Sequence, residues 1–142
     1  MNIGDAAKRA GVPAKTIRYY DEIGLIGPSA RGENGYRDYD DKAVESLRFV
    51  RHARGLGFSV EDCRALLSLY RDRNRASADV KALAGQQLER IDQKMAELES
   101  MKRTLESLMQ RCHGDDRPDC PILDNLAADE ALSGVSAAGE TA

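Results

Sequence analysis

From about Val80 to Arg111 the chain has no proline and a single glycine, Gly85, while Leu88, Ile91, Met95, Leu98, Met101, Leu105 and Leu108 step by three or four residues. That period is the seam of a coiled coil, and at 1.5 Å per residue it predicts one helix roughly 45 Å long. One apolar stripe on so long a helix needs a partner surface. The chain of 142 residues shows no second long helix, and its remaining domain is too short to cover the first. A second copy of the same chain is the economical partner, so a homodimer is expected.

The rest of the composition fits that picture. Charged residues reach 32% and aromatic residues only 5%, as in a helical, surface-rich protein whose apolar area lies in stripes. No run of eighteen apolar residues and no charged-then-apolar leader occurs, which argues against membrane and secretory readings. Three cysteines, an odd number, argue for a reducing compartment over a disulfide scaffold, and a cytoplasmic protein is expected. Residues 1–75 carry 14 Lys/Arg against 11 Asp/Glu, a net of +3, and residues 76–142 carry 7 against 13, a net of −6. A basic front half is compatible with nucleic-acid contact but does not establish it, because clustering decides phosphate binding.

The front half is punctuated as two short helices around a turn. Ile3, Ala6, Ala7 and Ala10 fall at helical spacing, Gly11-Val12-Pro13 breaks the pattern, and a second helix runs from Ala14 to Ile23 with Gly24 as its stop. Small residues in the first helix let the second cross it closely, which is helix-turn-helix punctuation. Asn34-Gly35 then gives a hairpin signal ahead of alternating Tyr36-Arg37-Asp38-Tyr39. Beside a helix-turn-helix, such a hairpin is a wing that carries Arg31 and Arg37 to flanking phosphates. Residues 41–56 form an amphipathic helix with Val44, Leu47, Phe49, Val50 and Leu56 on its apolar side. Ser59 begins another, through Tyr70, with Asp62 three residues on as in a capping box. Cys63 within it reads as a small buried hydrophobe, and Ser77-Ala78-Asp79 offers N-cap chemistry to the long helix.

Directly after that helix comes Cys112-His-Gly-Asp-Asp-Arg-Pro-Asp-Cys120, a polar loop closed by two cysteines. Two thiolates on one loop can chelate a soft metal without help from distant chain. Pro121 to Leu126 forms a short helix beyond it, and the Ala-, Gly-, Ser- and Glu-rich tail from about Ala127 reads as disordered.

Taken together these residues resemble the MerR transcriptional regulators, and within them the copper-efflux-regulator type that senses monovalent ions. The resemblance rests on Met1 to Ala7, on Thr16-Ile-Arg-Tyr-Tyr-Asp-Glu-Ile-Gly-Leu25, and on Glu33-Asn-Gly-Tyr-Arg37. Ser77-Ala-Asp-Val-Lys81 and Cys112-x7-Cys120-Pro121-Ile122 complete it, over about residues 1–126. It implies a mainly α fold: a winged helix-turn-helix domain (1–70), an antiparallel coiled-coil dimerisation helix (77–111), a metal-binding loop and short helix (112–126), and a tail (127–142). It also implies a homodimer on a palindromic site in double-stranded promoter DNA. On binding its inducer, the dimer distorts that DNA so that RNA polymerase can use the promoter.

Lys15, Thr16, Arg18, Tyr19 and Tyr20 lie in the part of the second helix that meets a major groove, and Arg31, Gly35, Tyr36 and Arg37 form the wing set. Adjacent helical positions diverge by about 100°, so both tyrosines cannot face DNA, and Tyr20 is expected inside. Arg54 is a weaker phosphate candidate. For Cys112 and Cys120, Cu(I) is the favoured ion, with Ag(I) and Au(I) sharing its chemistry, because two thiolates satisfy a monovalent d10 ion. Zinc would need two more ligands, from His113, Asp115, Asp116 or Asp119, and a thiol redox switch is the third reading. His113 is expected to be a solvated loop residue. In the family, divalent sensors tend to carry a third cysteine where this chain has Ser77, and nearby Lys81 is placed to offset the anionic charge of a two-thiolate site. No phosphate-binding glycine loop or catalytic triad order is present, so an enzyme is not expected. The alternative without DNA, a coiled-coil interaction module, leaves the helix pair and wing unexplained.

Overall fold

The computed structural model describes residues 1–33 and 35–128. Asn34 of the expected turn, and residues 129–142 of the expected disordered tail, lie outside them. The chain divides into two compact units, Met1–Gln87 and Leu88–Ala142.

In the first unit, α1 (Ile3–Ala10) starts where the Asn2 side chain accepts a hydrogen bond from the Asp5 amide, and ends at Gly11 with φ +71°. That left-handed conformation favours glycine and turns the chain into α2 (Ala14–Glu22). Ala6 and Ala10 are fully buried, and α1 packs against both α2 and α3 (Asp41–Gly55). α4 (Val60–Arg71) begins at Ser59, whose hydroxyl accepts from the Asp62 amide at 3.0 Å, the cap its sequence announces. One core cluster joins these helices, with Ile17, Tyr39, Val44, Leu47, Val50 and Cys63 as its largest fully buried members. Cys63 is therefore the small hydrophobe expected of it, and burial pushes its thiol pKa up.

The wing is slighter than its sequence pattern. β1 (Ala30–Arg31) pairs antiparallel with β2 (Arg37–Asp38), Ala30 opposite Asp38 and Arg31 opposite Arg37. Beyond the strands, Gly32 N–H donates to the Tyr36 carbonyl at 2.8 Å. Tyr39, the last residue of the alternation, drops into the core, and its amide donates to the Met1 carbonyl at 2.8 Å.

Leu56 departs from the expected apolar face. It follows the end of α3 and is 66% exposed, because the helix ends before the stripe reaches it. Its carbonyl instead accepts a 3.0 Å hydrogen bond from Gln87 of α5 (Ser77–Arg111), a polar side chain that is buried. Beside it Gly57 has φ +86°, and a Cβ there would come within 2.6 Å of Gln87 Nε2. Gly57→Ala is therefore expected to lower stability by about 1–2 kcal/mol through strain and loss of this hydrogen bond. A lower urea midpoint at unchanged slope checks it.

α5 begins at Ser77, so that serine is its first helical residue, with Asp79 in the first turn where the helix dipole favours an acid. In the second unit, Leu88, Ile91, Met95, Leu98, Met101 and Leu105 are all exposed along α5. Leu108, expected to continue the seam, is buried at 2% exposure, and Met109 is exposed instead. Along the same helix, Lys94–Glu97 and Lys102–Glu106 pair at 3.6 and 3.9 Å. Exposed helical pairs of this kind contribute only about 0.3–0.5 kcal/mol, so they solubilise the helix more than they hold it. The unit closes with α6 (Pro121–Ala127), whose first residue is proline. No helix of the described residues is long and apolar enough to cross a membrane.

Candidate DNA-binding surface and metal-binding loop

Burial along α2 sorts the expected contact residues. Ile17 and Tyr20 point into the core, at 0% and 6% exposure. Lys15, Arg18 and Tyr19 are exposed, and Thr16 is half-buried at the border. At about 100° per residue, Lys15, Arg18 and Tyr19 fall within one sector opposite Ile17. Tyr20 is thereby corrected out of the DNA-facing set: its ring is core, and burial raises its hydroxyl pKa.

One arginine of α4 reaches the end of α2. Arg64 of α4 donates to the carbonyls of Ile23 and Gly24, both at 3.0 Å, satisfying groups the helix terminus leaves open. Arg54, a weaker phosphate candidate, donates to the Phe58 carbonyl at 2.7 Å and is committed to the α3–α4 turn.

Arg31 and Arg37 lie on opposing strands of the wing, and both reach Asp21 of α2. Arg31 Nη2 and Arg37 Nε lie 2.6 and 2.9 Å from the same oxygen, Asp21 Oδ2. The acid had no place in the sequence-based site; a charged residue near a helix end reads as solvated. Its signal is the coupling of one acid on a recognition helix with two arginines in the next hairpin. Gly35, at φ +77°, and exposed Tyr36 sit beyond it at the wing tip. A groove of about 310 Å³ is lined by Asn2, Ile3, Arg18, Gly35, Tyr36 and Arg37. It brings the α2 face and the wing onto one surface.

Burial would raise the Asp21 carboxyl, but hydrogen bonds from Arg31 and Arg37, with their charges, outweigh it and hold the pKa below the ordinary range. A carboxyl depressed in the folded state gives its full stabilisation above the unfolded pKa and loses it as pH falls through the folded value. The stabilisation from the wing contact is thus expected to be complete at neutrality and to be lost only in acid, as pH falls below the ordinary carboxylate range. Thermal unfolding checks this: the gap between wild type and Asp21→Asn should close as pH falls below that range.

In the second unit the two loop cysteines bracket seven residues. Cys112 follows the last residue of α5, its amide donating to the Met109 carbonyl at 3.2 Å. Cys120 precedes α6, its carbonyl accepting from Asp124 N–H at 3.0 Å. Both are free thiols and half-buried. Between them Gly114 turns at φ +63°, and Asp115 accepts from the Arg117 amide and pairs with Arg117 Nε at 2.9 Å. That acid is thereby engaged, while His113, Asp116 and Asp119 are exposed. Among the described residues no three His, Cys, Asp or Glu side chains are grouped to hold a metal. The loop carries two free thiols. Ser77 and Lys81 are exposed on the first turns of α5, in the other unit.

Two helices crossed at a glycine turn, the second exposing Lys15, Arg18 and Tyr19 beside a short β-ribbon, define a winged helix-turn-helix protein of the DNA-binding class. Comparison with known proteins agrees. Residues 1–69 match the MerR HTH family of regulatory proteins, and residues 44–108 match the MerR DNA-binding family. The chain is 60% identical over 127 residues to the HTH-type transcriptional regulator HmrR of Rhizobium leguminosarum bv. viciae, covering 89% of this chain and 98% of HmrR. It is 56% identical to heavy metal-dependent transcription regulator 2 of Rhizobium meliloti, covering 89% and 86% of the two chains. The crystal structure of the transcription regulator PbrR691 from Ralstonia metallidurans, in complex with lead(II), superposes with a TM-score of 0.78 at 31% identity, covering 89% and 99%. This chain belongs to the MerR family of transcriptional regulators.

Proposed function

We propose that this chain is a cytoplasmic, metal-responsive regulator that binds a palindromic promoter site as a homodimer. On binding Cu(I), or Ag(I) or Au(I), at Cys112 and Cys120 it distorts the promoter so that RNA polymerase initiates at copper-efflux and homeostasis genes. The observation that carries the metal reading is the pair of free, half-buried thiols on one short loop next to the dimerisation helix. Two soft thiolates suit a two-coordinate d10 monovalent ion, whereas tetrahedral zinc would draw two further ligands from elsewhere. The metal dependence named for the Rhizobium meliloti relative, and the lead(II) bound by PbrR691, support a metal as the inducer. Lys15, Thr16, Arg18 and Tyr19 would read or hold the major groove, with Arg31, Gly35, Tyr36 and Arg37 on the flanking backbone.

The exposed leucines and methionines of α5 support the dimer, an antiparallel pair of long helices burying what is open in one chain. The test is transcription in vitro from a promoter the protein occupies. Adding Cu(I) to the bound, reduced dimer should raise transcript without releasing protein from DNA. Copper-independent output, or release on metal addition, would refute the mechanism.

Ser77 is proposed as a selectivity position. A serine there withholds the third thiolate a divalent ion would use. Ser77→Cys is expected to shift the reporter response toward Zn²⁺ by about tenfold relative to Cu⁺, each added ligand being worth at least an outer partner's 10- to 100-fold. An unchanged metal profile would remove Ser77 from the account.

A further inference from the structure

Resting on the DNA-binding reading above, the geometry points to Asp21 as a positioning residue that presents the wing arginines Arg31 and Arg37 to a DNA phosphate. One carboxylate oxygen receives one N–H edge from each guanidinium, Nη2 of Arg31 and Nε of Arg37. A guanidinium has five N–H donors in a rigid fork. Holding Arg37 by Nε leaves both of its terminal nitrogens as donors, and holding Arg31 by Nη2 leaves Nη1 and Nε. Asp21 is 10% exposed, while Arg31 and Arg37 are 51% and 30% exposed, so the anchor is inside and the open donors are outside.

Arg37 also lines the groove it shares with Arg18 of the recognition helix. The buried Tyr39 phenol registers the same convergence. Its pKa is raised by burial and by Asp21, and lowered by Arg37, Arg31 and Arg18. One acid and three guanidinium groups therefore gather at a single junction of α2 and wing. A flexible arginine must be immobilised when it takes a phosphate; here that ordering is already done in the free protein.

Charge alone predicts the opposite effect of removing the acid. Asp21→Asn removes one negative charge beside two arginines, which would tighten DNA binding and steepen its salt dependence. Positioning predicts weaker binding despite the lost negative charge. The experiment uses the reduced full-length chain and a duplex that the wild type selects from a randomised library.

Asp21→Asn is expected to weaken binding about tenfold, from lost ordering of two side chains. That loss should vanish in an Arg31→Ala/Arg37→Ala background, with melting curves confirming the fold. Tighter or unchanged binding by Asp21→Asn, or an equal loss without the arginines, would overturn the inference and leave the DNA-binding reading standing. A wild type that selects no duplex would overturn both. Should Asp21→Asn fail to fold, Arg37→Lys carries the test. It keeps the charge but cannot hold Asp21 and still offer a planar fork, so a loss of at least about threefold is expected. Full affinity in Arg37→Lys would overturn the inference.

Discussion

Cys112→Ser is expected to abolish metal-induced transcription while the protein still occupies its promoter. Cys112 sits in the second unit and Lys15, Arg18 and Tyr19 in the first, so the substitution leaves the DNA-facing side chains untouched. Serine is close in size to cysteine, and the site is half-buried, so stability should change by less than about 0.5 kcal/mol, as for surface substitutions. What changes is the donor. A hydroxyl is a hard, protonated ligand where a soft thiolate stood. In a site with two thiolates, losing one leaves a single sulfur, and Cu(I) affinity should fall by at least roughly 10³-fold. That exceeds the 10- to 100-fold typical of losing an outer hydrogen-bond partner. Competition against a Cu(I) chelator measures the affinity, and a reporter the induction. Cys120→Ser should match it, whereas His113→Ala should retain both affinity and response.

The second large effect concerns the exposed stripe of α5. Leu98 is 60% exposed within the row from Leu88 to Leu105. If a second copy covers that row, Leu98→Glu places a carboxylate in an apolar seam. An unpaired buried charge costs about 3 kcal/mol, and a symmetric dimer carries it twice, so the dissociation constant should rise by roughly four orders of magnitude. The single chain keeps its own core, because Leu98 has no place in the cluster that joins α1 to α4. Sedimentation should therefore show a folded monomer, and binding to a palindromic duplex should be lost with the dimer. A Leu98→Glu protein that remains dimeric would mean that another surface joins the copies.

Local chemistry was legible where residues act on their immediate neighbours. The Gly11-Val12-Pro13 break, the Ser59 cap and the inward Tyr20 each follow from backbone preference or helical period, and the structure has them so. The long helix was equally plain, since one residue every three or four defines it without reference to anything else. Features that depend on tertiary partners were not legible. Leu56 looked like the end of an apolar face, yet α3 stops before it, and its carbonyl is occupied by Gln87 from thirty-one positions away. Leu108 matched the seam period but is buried already.

Within the site, the hairpin beside a helix pair nominates Arg31 and Arg37, but not the acid they share. Asp21 is ten residues before Arg31 and sixteen before Arg37. Only the folding of the wing against α2 makes them neighbours. For the cysteine loop, the placement of Cys112 after α5 and Cys120 before α6 follows directly from the sequence pattern.

Cys112 and Cys120 are proposed to form a two-thiolate site for a monovalent ion. Anaerobic Cu(I) titration of the reduced protein, followed by X-ray absorption at the copper edge, tests it most directly. One Cu(I) per chain with two sulfur neighbours, and no nitrogen or oxygen directly bound, is the expected result. A site with three or four ligands including nitrogen or oxygen, or a Cys120→Ser protein with the same spectrum, would contradict it.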